Sequence, residues 1–314
     1  MKYLNHDKVS SLLPYDELIT ALEAGFQQGG VVPLRHSHTV TTSNGTENSF
    51  LLMPCWQIDG MMGLKTVMVC PDNHYKNLES VQASYLLSDA ATGELRAILD
   101  GDELTVRRTA CASALASSCL SNPESTSMLM MGAGKLAPHL IRAHSTVRNF
   151  KTIYIWARRI EQAETLAVTL NKELSANVIP ISDPSTQANT CDVISCATMS
   201  NEPILKGAWL NVEKQQHIDL VGGYTYDMRE ADNDVIASAD TYVDTFDGAL
   251  AEAGDILRPI EEGIISKNDV KGDLYDMVKD DFQGNPEKKT TVFKSVGTAL
   301  EDLIAAKLVY QKSL

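Results

Sequence analysis

The sequence predicts an α/β protein of two domains, one of them a doubly wound parallel sheet. Three observations predict it. A chain of 314 residues exceeds the roughly 100–200 residues of a typical single domain. Its first 90 residues carry strand-like runs at hairpin spacing, separated by Gly and Asn turn signals. After Asn122-Pro123 the pattern changes to alternating apolar strands and amphipathic helices, the signature of a parallel sheet covered by helices.

The elements follow in order. Leu18, Leu22 and Phe26 recur at helical spacing and Gly29-Gly30 stops them, so a helix spans 15–28. Strands are expected at 35–42, 49–54, 61–69 and 84–88, with turns at Ser43-Asn44-Gly45, Asp59-Gly60 and Ala91-Thr92-Gly93. A helix over 102–120 carries small residues for close packing. Strand 127–131, a glycine turn, a helix near 136–144, strand 152–156, helix 160–174 and strand 177–181 then alternate. Buried strands follow at 192–197, 216–221 and 241–244. The last helix is expected over 295–308, with Val296, Leu300, Leu303 and Ala306 on one face.

Composition excludes several classes. With 27 Lys+Arg against 41 Asp+Glu the net charge is −14, which argues against a nucleic-acid partner. No apolar run reaches the ~18–20 residues of a membrane helix, and no signal peptide is recognised at the N-terminus. The six cysteines contain no CxxC, so zinc-ribbon and thioredoxin readings fail; buried free thiols of a cytoplasmic protein fit instead. His36 and His38 share a strand face but lack a third ligand, so no metal is expected. Ser113 has no nucleophile elbow around it and reads as packing.

The strongest local motif is Gly132-Ala133-Gly134-Lys135-Leu136-Ala137, a GxGxxA between a strand and a helix. Gly132 serves the tight turn, Gly134 lets the backbone approach a pyrophosphate, and Ala137 allows close packing. The alternative is a purely structural glycine turn. The next strand ends in Arg158-Arg159, with no acidic residue before Glu161. An arginine pair suits a 2′-phosphate, so NADP(H) is the preferred cofactor and NAD(H) the second; solvated helix-start arginines are the plain reading. Three cations precede the turn: Arg35, Lys65 in an otherwise apolar strand, and Arg108 near a helix start. They read either as a carboxylate clamp or as three separate surface charges.

The ordered set of motifs resembles the ornithine cyclodeaminase/μ-crystallin family over nearly the whole chain. The stretches that carry the resemblance are Pro33-Leu34-Arg35, 63–73 around Lys65, 104–114 around Arg108-Thr109, the glycine turn, 221–230, and Phe293-Lys294 through Gly297 with Glu301-Asp302. The resemblance implies a homodimer, with a substrate-binding and dimerisation domain from 1–120 and 295–314 and a Rossmann NAD(P)-binding domain at 121–294. It implies that Arg35, Lys65 and Arg108 line the substrate site, Lys65 and Arg108 catalytically, with Arg108 on the carboxylate and Tyr224 beside the substrate. Cofactor-binding positions would be Thr109, Gly132, Ala133, Gly134, Lys135, Leu136, Arg158, Arg159, Thr198, Val221, Gly222, Lys294 and Gly297.

One departure directs the functional expectation. Cyclodeaminases of that family carry an Asp where this chain has Tyr224. A phenol with a pKa near ~10 neither pairs with an ammonium nor takes its proton at neutral pH. Asp227 is a substitute acid or a solvated loop charge. The expectation is therefore NAD(P)H-dependent reduction of cyclic imine carboxylates, Δ1-pyrroline-2-carboxylate to L-proline and Δ1-piperideine-2-carboxylate to L-pipecolate. The alternatives are an ornithine or lysine cyclodeaminase releasing ammonia with tightly bound NAD, an amino-acid dehydrogenase, and a non-catalytic NADPH-binding protein.

Overall fold

In the computed structural model, which describes residues 1–284 and 289–314, the chain divides into two units. One is Met1–Arg108 with Thr298–Leu314, the other Thr109–Gly297. The first boundary falls inside a helix, between Arg108 and Thr109.

The first unit holds β1 (Lys2–Leu4), α1 (His6–Leu12), α2 (Tyr15–Gln28), β2 (His36–Thr41), β3 (Glu47–Trp56), β4 (Met61–Val69), β5 (Val81–Asp89), β6 (Leu95–Asp100) and the start of α3 (Gly101–Leu120). The sheet order is β1-β6-β5-β4-β3-β2; β1 pairs parallel with β6 and the rest form an antiparallel meander. Side chains alternate across the pleat. Met53, Lys65, Tyr85 and Leu99 lie in one register row and are all buried. The C-terminal helix (Ala299–Lys312) packs on β3, β4 and β5 and against α2. Leu18, Leu22 and Phe26 of α2 are buried, as their spacing predicts.

The second unit contains β7 (Ser127–Met131), α4 (Ala137–Val147), β8 (Thr152–Trp156), α5 (Ile160–Leu170), β9 (Asn177–Ile181), α6 (Ser185–Thr190), β10 (Val193–Cys196) and β11 (Gln216–Leu220). It continues through α7 (Asn233–Ser238), β12 (Ala239–Val243), α8 (Phe246–Glu252), α9 (Gly254–Glu261), β13 (Val270–Gly272), α10 (Leu274–Met277) and β14 (Thr290–Lys294). All pairings are parallel, in the order β13-β12-β14-β11-β10-β7-β8-β9. From β7 the chain winds out through β8 and β9, then returns to β10 on the other side. The crevice at such a reversal, above the carboxyl ends of the strands, is where open α/β sheets bind ligands. Leu129, Met131, Ile194, Cys196, Ile218, Leu220 and Val292 form the core beneath it.

Two predicted helices have different limits. The helix expected to reach 174 ends at Leu170, because the Asn171 side chain turns back to pair with both backbone groups of Val178 at 2.8 and 2.9 Å. The last helix does not start at 295. Residues Thr290–Lys294 are a strand, Gly297 has φ +81, and Thr298 caps the helix that begins at Ala299. Val296 therefore stands outside the helix whose apolar phase it happens to share. All six cysteines are free, with Cys70 and Cys119 only half-buried.

Candidate functional site: a buried cation cluster and a glycine turn

In the first unit, the alternation of β4 carries Lys65 to the buried face, leaving it 1% exposed. The first turn of the C-terminal helix supplies Glu301 and Asp302, both fully buried, where the helix dipole favours negative charge. Lys65 Nζ donates to Asp302 Oδ1 at 3.0 Å and lies 2.8 Å from Oδ2. Arg108, on α3, donates from Nε to Asp302 Oδ1 at 2.9 Å and from Nη1 to Glu301 Oε2 at 2.6 Å.

Burial pulls the Lys65 ammonium down to about 8; Arg108 and Arg35 add to the fall and Asp302 opposes it. Burial works against Arg108 too, but Asp302 and Glu301 outweigh it and hold the guanidinium above its usual value. Lys65 and Arg108 thus share two buried carboxylates, and Arg35 brings a further positive charge near Lys65. Structural ion pairs also perturb titration.

Tyr85 lies opposite Lys65 in the register. It is fully buried, and its Oη has no hydrogen-bond partner among the described residues. A Cβ on Gly63 would stand 1.9 Å from that oxygen, so only glycine leaves room for the phenol. Burial, then Asp302 and Cys55, push Tyr85 well above its ordinary value. The Cys55 thiol is pushed up to about 12, chiefly by burial, which makes it an inert core thiol.

In the second unit the glycine turn follows β7. Gly132 has φ +124, and a Cβ there would lie 2.5 Å from the Ala197 carbonyl. Nothing lies within 4 Å of the Cβ position of Gly134. The turn thus leaves its backbone open in front of the N-terminus of α4, where the helix dipole favours an anion. The arrangement fits a dinucleotide pyrophosphate. Beside it a cleft of about 600 Å³ is lined by Ala133, Gly134, Lys135, Arg159 and Glu161, among others. Arg158 is exposed and is not part of that lining.

The other expected cofactor residues sit in a buried carboxylate framework. Glu230 accepts from Thr198 N at 2.6 Å, Thr198 Oγ1 at 2.8 Å and Gly222 N at 2.7 Å. Burial raises its carboxyl to about 7, with Lys294 opposing. Lys294 is fully buried and donates to Asp255 Oδ2 at 2.9 Å. Gly297 N donates to Asp244 Oδ2 at 2.6 Å. Val221 is buried, Thr109 and Leu136 half-buried, and Tyr224 packs against the cluster of Val243, Ala249 and Ile256. Asp227 is exposed. Sequence reasoning gave no role to Glu230, Asp244, Asp255, Glu301 or Asp302. Among the described residues no group of three His, Cys, Asp or Glu is placed to hold a metal.

Comparison with known proteins decides the family, since the model of the ornithine cyclodeaminase/mu-crystallin family matches residues 2–314. The chain belongs to that family. Among this family member's relatives is a Δ1-pyrroline-2-carboxylate reductase of Colwellia psychrerythraea, 33% identical over 99% of both chains. The ketimine reductase mu-crystallin of Mus musculus is 34% identical over 98% of this chain and 93% of its own. A solved structure of Thermococcus litoralis Δ1-pyrroline-2-carboxylate reductase, in complex with NADH and L-proline, is 31% identical. It superposes with a TM-score of 0.92, covering 100% of this chain and 97% of the other.

Proposed function

We propose that the protein is an NADPH-dependent reductase of cyclic imine carboxylates, with Δ1-pyrroline-2-carboxylate the first substrate and Δ1-piperideine-2-carboxylate the second. The observation that carries this reading is the buried cluster of Lys65, Arg108, Glu301 and Asp302, with Arg35 bringing a third positive charge near Lys65. Of the named relatives, one is a Δ1-pyrroline-2-carboxylate reductase and one a ketimine reductase, which supports the reading.

In this reading Arg108, helped by Arg35, grips the substrate carboxylate with geometry that lysine alone lacks. Glu301 and Asp302 hold the guanidinium rigid, so little motion is lost on binding. Fixing the carboxylate orients the C=N carbon, which is mainly a positioning effect. NADPH, when bound, supplies the hydride. Lys65, an ammonium that titrates near neutrality, stabilises the carboxylate and guides the proton to the imine nitrogen. A protonated imine is the better hydride acceptor, so the rate falls as pH passes the imine's own pKa.

Tyr224 separates this reading from cyclodeamination, because a phenol with a pKa near ~10 cannot handle the ornithine amino group as a carboxylate does. NADPH is preferred because Arg159 and Lys135 share the cleft beside Gly134, and two cations suit a 2′-phosphate. Residues Thr109, Val221 and Gly222 complete the cofactor side. A homodimer is favoured by the outer face of the first sheet. There Pro54, Leu64, Leu86 and Ile98 form a half-exposed apolar row across four strands, which calls for a cover.

The test is NADPH oxidation by purified protein with Δ1-pyrroline-2-carboxylate, run beside an ornithine assay for ammonia. Rapid oxidation with L-proline formed and no ammonia supports the reading. Ammonia and proline from ornithine without net cofactor turnover would replace it with cyclodeamination.

A further inference from the structure

Three loops meet at the carboxyl edge of the parallel sheet with no room between them. A Cβ on Gly132 would press on Ala197 O at 2.5 Å and approach Thr198 Cγ2 at 3.4 Å. A Cβ on Gly222 would stand 2.0 Å from Thr198 O, 2.2 Å from Thr198 N and 2.6 Å from Glu230 Oε1. The turn after β7, the loop after β10 and the loop after β11 are therefore in backbone contact. The side chain that joins the latter two is Glu230, with one oxygen on Thr198 and the other on Gly222.

Glu230 is itself held from behind. Its N–H and that of Ala231 donate to Asp255 Oδ1 at 2.8 and 3.1 Å. Its carbonyl accepts from Ile204 and Leu205, both at 2.9 Å. Lys294 of β14 locks the other oxygen of Asp255. A fully buried carboxylate on a pinned backbone, with all three of its donors on two loops, is a spacer between those loops.

We propose that Glu230 is a positioning residue of the cofactor half, setting the spacing of the Thr198 and Gly222 loops against the Gly132 turn and thereby the affinity for pyridine nucleotide. The inference rests on the reading that this turn holds NAD(P)(H). It assigns Glu230 no contact with cofactor or substrate.

Two consequences follow from the chemistry. Glutamine cannot replace the carboxylate. Whichever way the amide faces, its NH2 meets a backbone N–H, of Thr198 or of Gly222. Protonation has a related cost, because a carboxyl must donate where only the Thr198 hydroxyl can accept. The charged groups around Glu230 are Lys294 on β14, which favours its ionised form, and Asp255 on α9, which opposes it. Cys196 on β10 also faces it; burial, then Glu230, hold that thiol well above its ordinary value. The carboxyl titrates at about 7, so nucleotide affinity weakens as pH falls through that range.

The experiment is NADPH binding by fluorescence from pH 6 to 8.5, for wild type and Glu230→Gln, with melting temperatures recorded at each pH. Expected are a wild-type Kd that rises several-fold below pH about 7, and a Glu230→Gln Kd raised at least tenfold with no such pH step. Equal affinity and an equal pH profile in both proteins would overturn the assignment. Should Glu230→Gln fail to fold, Glu230→Asp decides: its shorter side chain cannot hold both loops at their spacing, so an unchanged Kd overturns the assignment and a Kd raised several-fold at an unchanged melting temperature supports it. Binding that follows the pattern without any imine reduction supports Glu230 and removes only the substrate reading. Failure to bind any pyridine nucleotide overturns both.

Discussion

Lys65 and Lys294 are the same device in two settings. Each is a fully buried lysine on a strand, paired with a fully buried aspartate at 2.8–2.9 Å. Burial lowers the charged form of both, yet their titrations move apart. Lys65 falls to about 8 because Arg108 and Arg35 stand beside it. Lys294 ends above its ordinary value because Asp255, Glu230 and Asp244 outweigh burial. Lys65 has two arginines beside its aspartate; Lys294 has three carboxylates around it. The pair alone does not mark function. In the proposed function it is the pair with arginines beside it, in the first unit, that takes the substrate carboxylate.

Arg108→Ala should have the largest effect on activity, lowering kcat/KM for the imine carboxylate by about 10²–10³-fold, or ~3–4 kcal/mol, through loss of a desolvated bidentate contact. Steady-state kinetics measures it, and a loss under tenfold would move the carboxylate elsewhere. The comparison is broken most directly by stability. Lys294→Met strands Asp255 as an uncompensated buried charge, costing ~3–5 kcal/mol, a fall in Tm on the order of 10 °C. Lys65→Met should cost clearly less, because Asp302 keeps Arg108. Equal losses in thermal melts would mean both lysines are structural.

The pH dependence sharpens it. Lys65 is depressed in the folded state, so its contribution to stability is gained as pH rises from about 8 toward the ordinary lysine range. Lys294 is raised, so its contribution is present below that range and lost above it. For activity, carboxylate binding needs the Lys65 ammonium. KM should rise up to tenfold per pH unit above about 8, and Lys65→Arg should move that limb upward. A KM that stays flat to pH 10 excludes Lys65 from the carboxylate. The smallest effect is expected at the exposed arginines that the proposed function sets beside the cofactor. Arg159→Ala should cut the NADPH-to-NADH preference by no more than about tenfold, since an exposed contact is worth ~1 kcal/mol.

The halves of the molecule were unequally legible. Strands β4, β7, β8 and β9 were read to the residue because turn signals bracket short, mainly apolar runs. The edge strand β1 and its neighbour β6 were missed. Strand β14 carries Thr290, Thr291, Val292 and Phe293, a fair strand signal hidden by the helical phase of Val296, Leu300 and Leu303. The glycine turn is local and could be read from spacing. The cluster that gives Lys65 its meaning is not local. Arg108 and Asp302 are 194 residues apart in sequence; the resemblance to a family drew Arg35, Lys65 and Arg108 together but not their carboxylates. Glu230 has no local signal at all. Its role depends on which loops the sheet order makes neighbours.

The most direct test is the binding of L-proline in the presence of NADP+, followed by calorimetry at pH 8.5 in two buffers of different ionisation enthalpy. If the Lys65–Arg108 cluster takes the carboxylate, binding raises the Lys65 pKa, and wild type takes up a fraction of a proton that Lys65→Arg does not. Binding without proton uptake in wild type, or equal uptake in both proteins, would contradict that assignment.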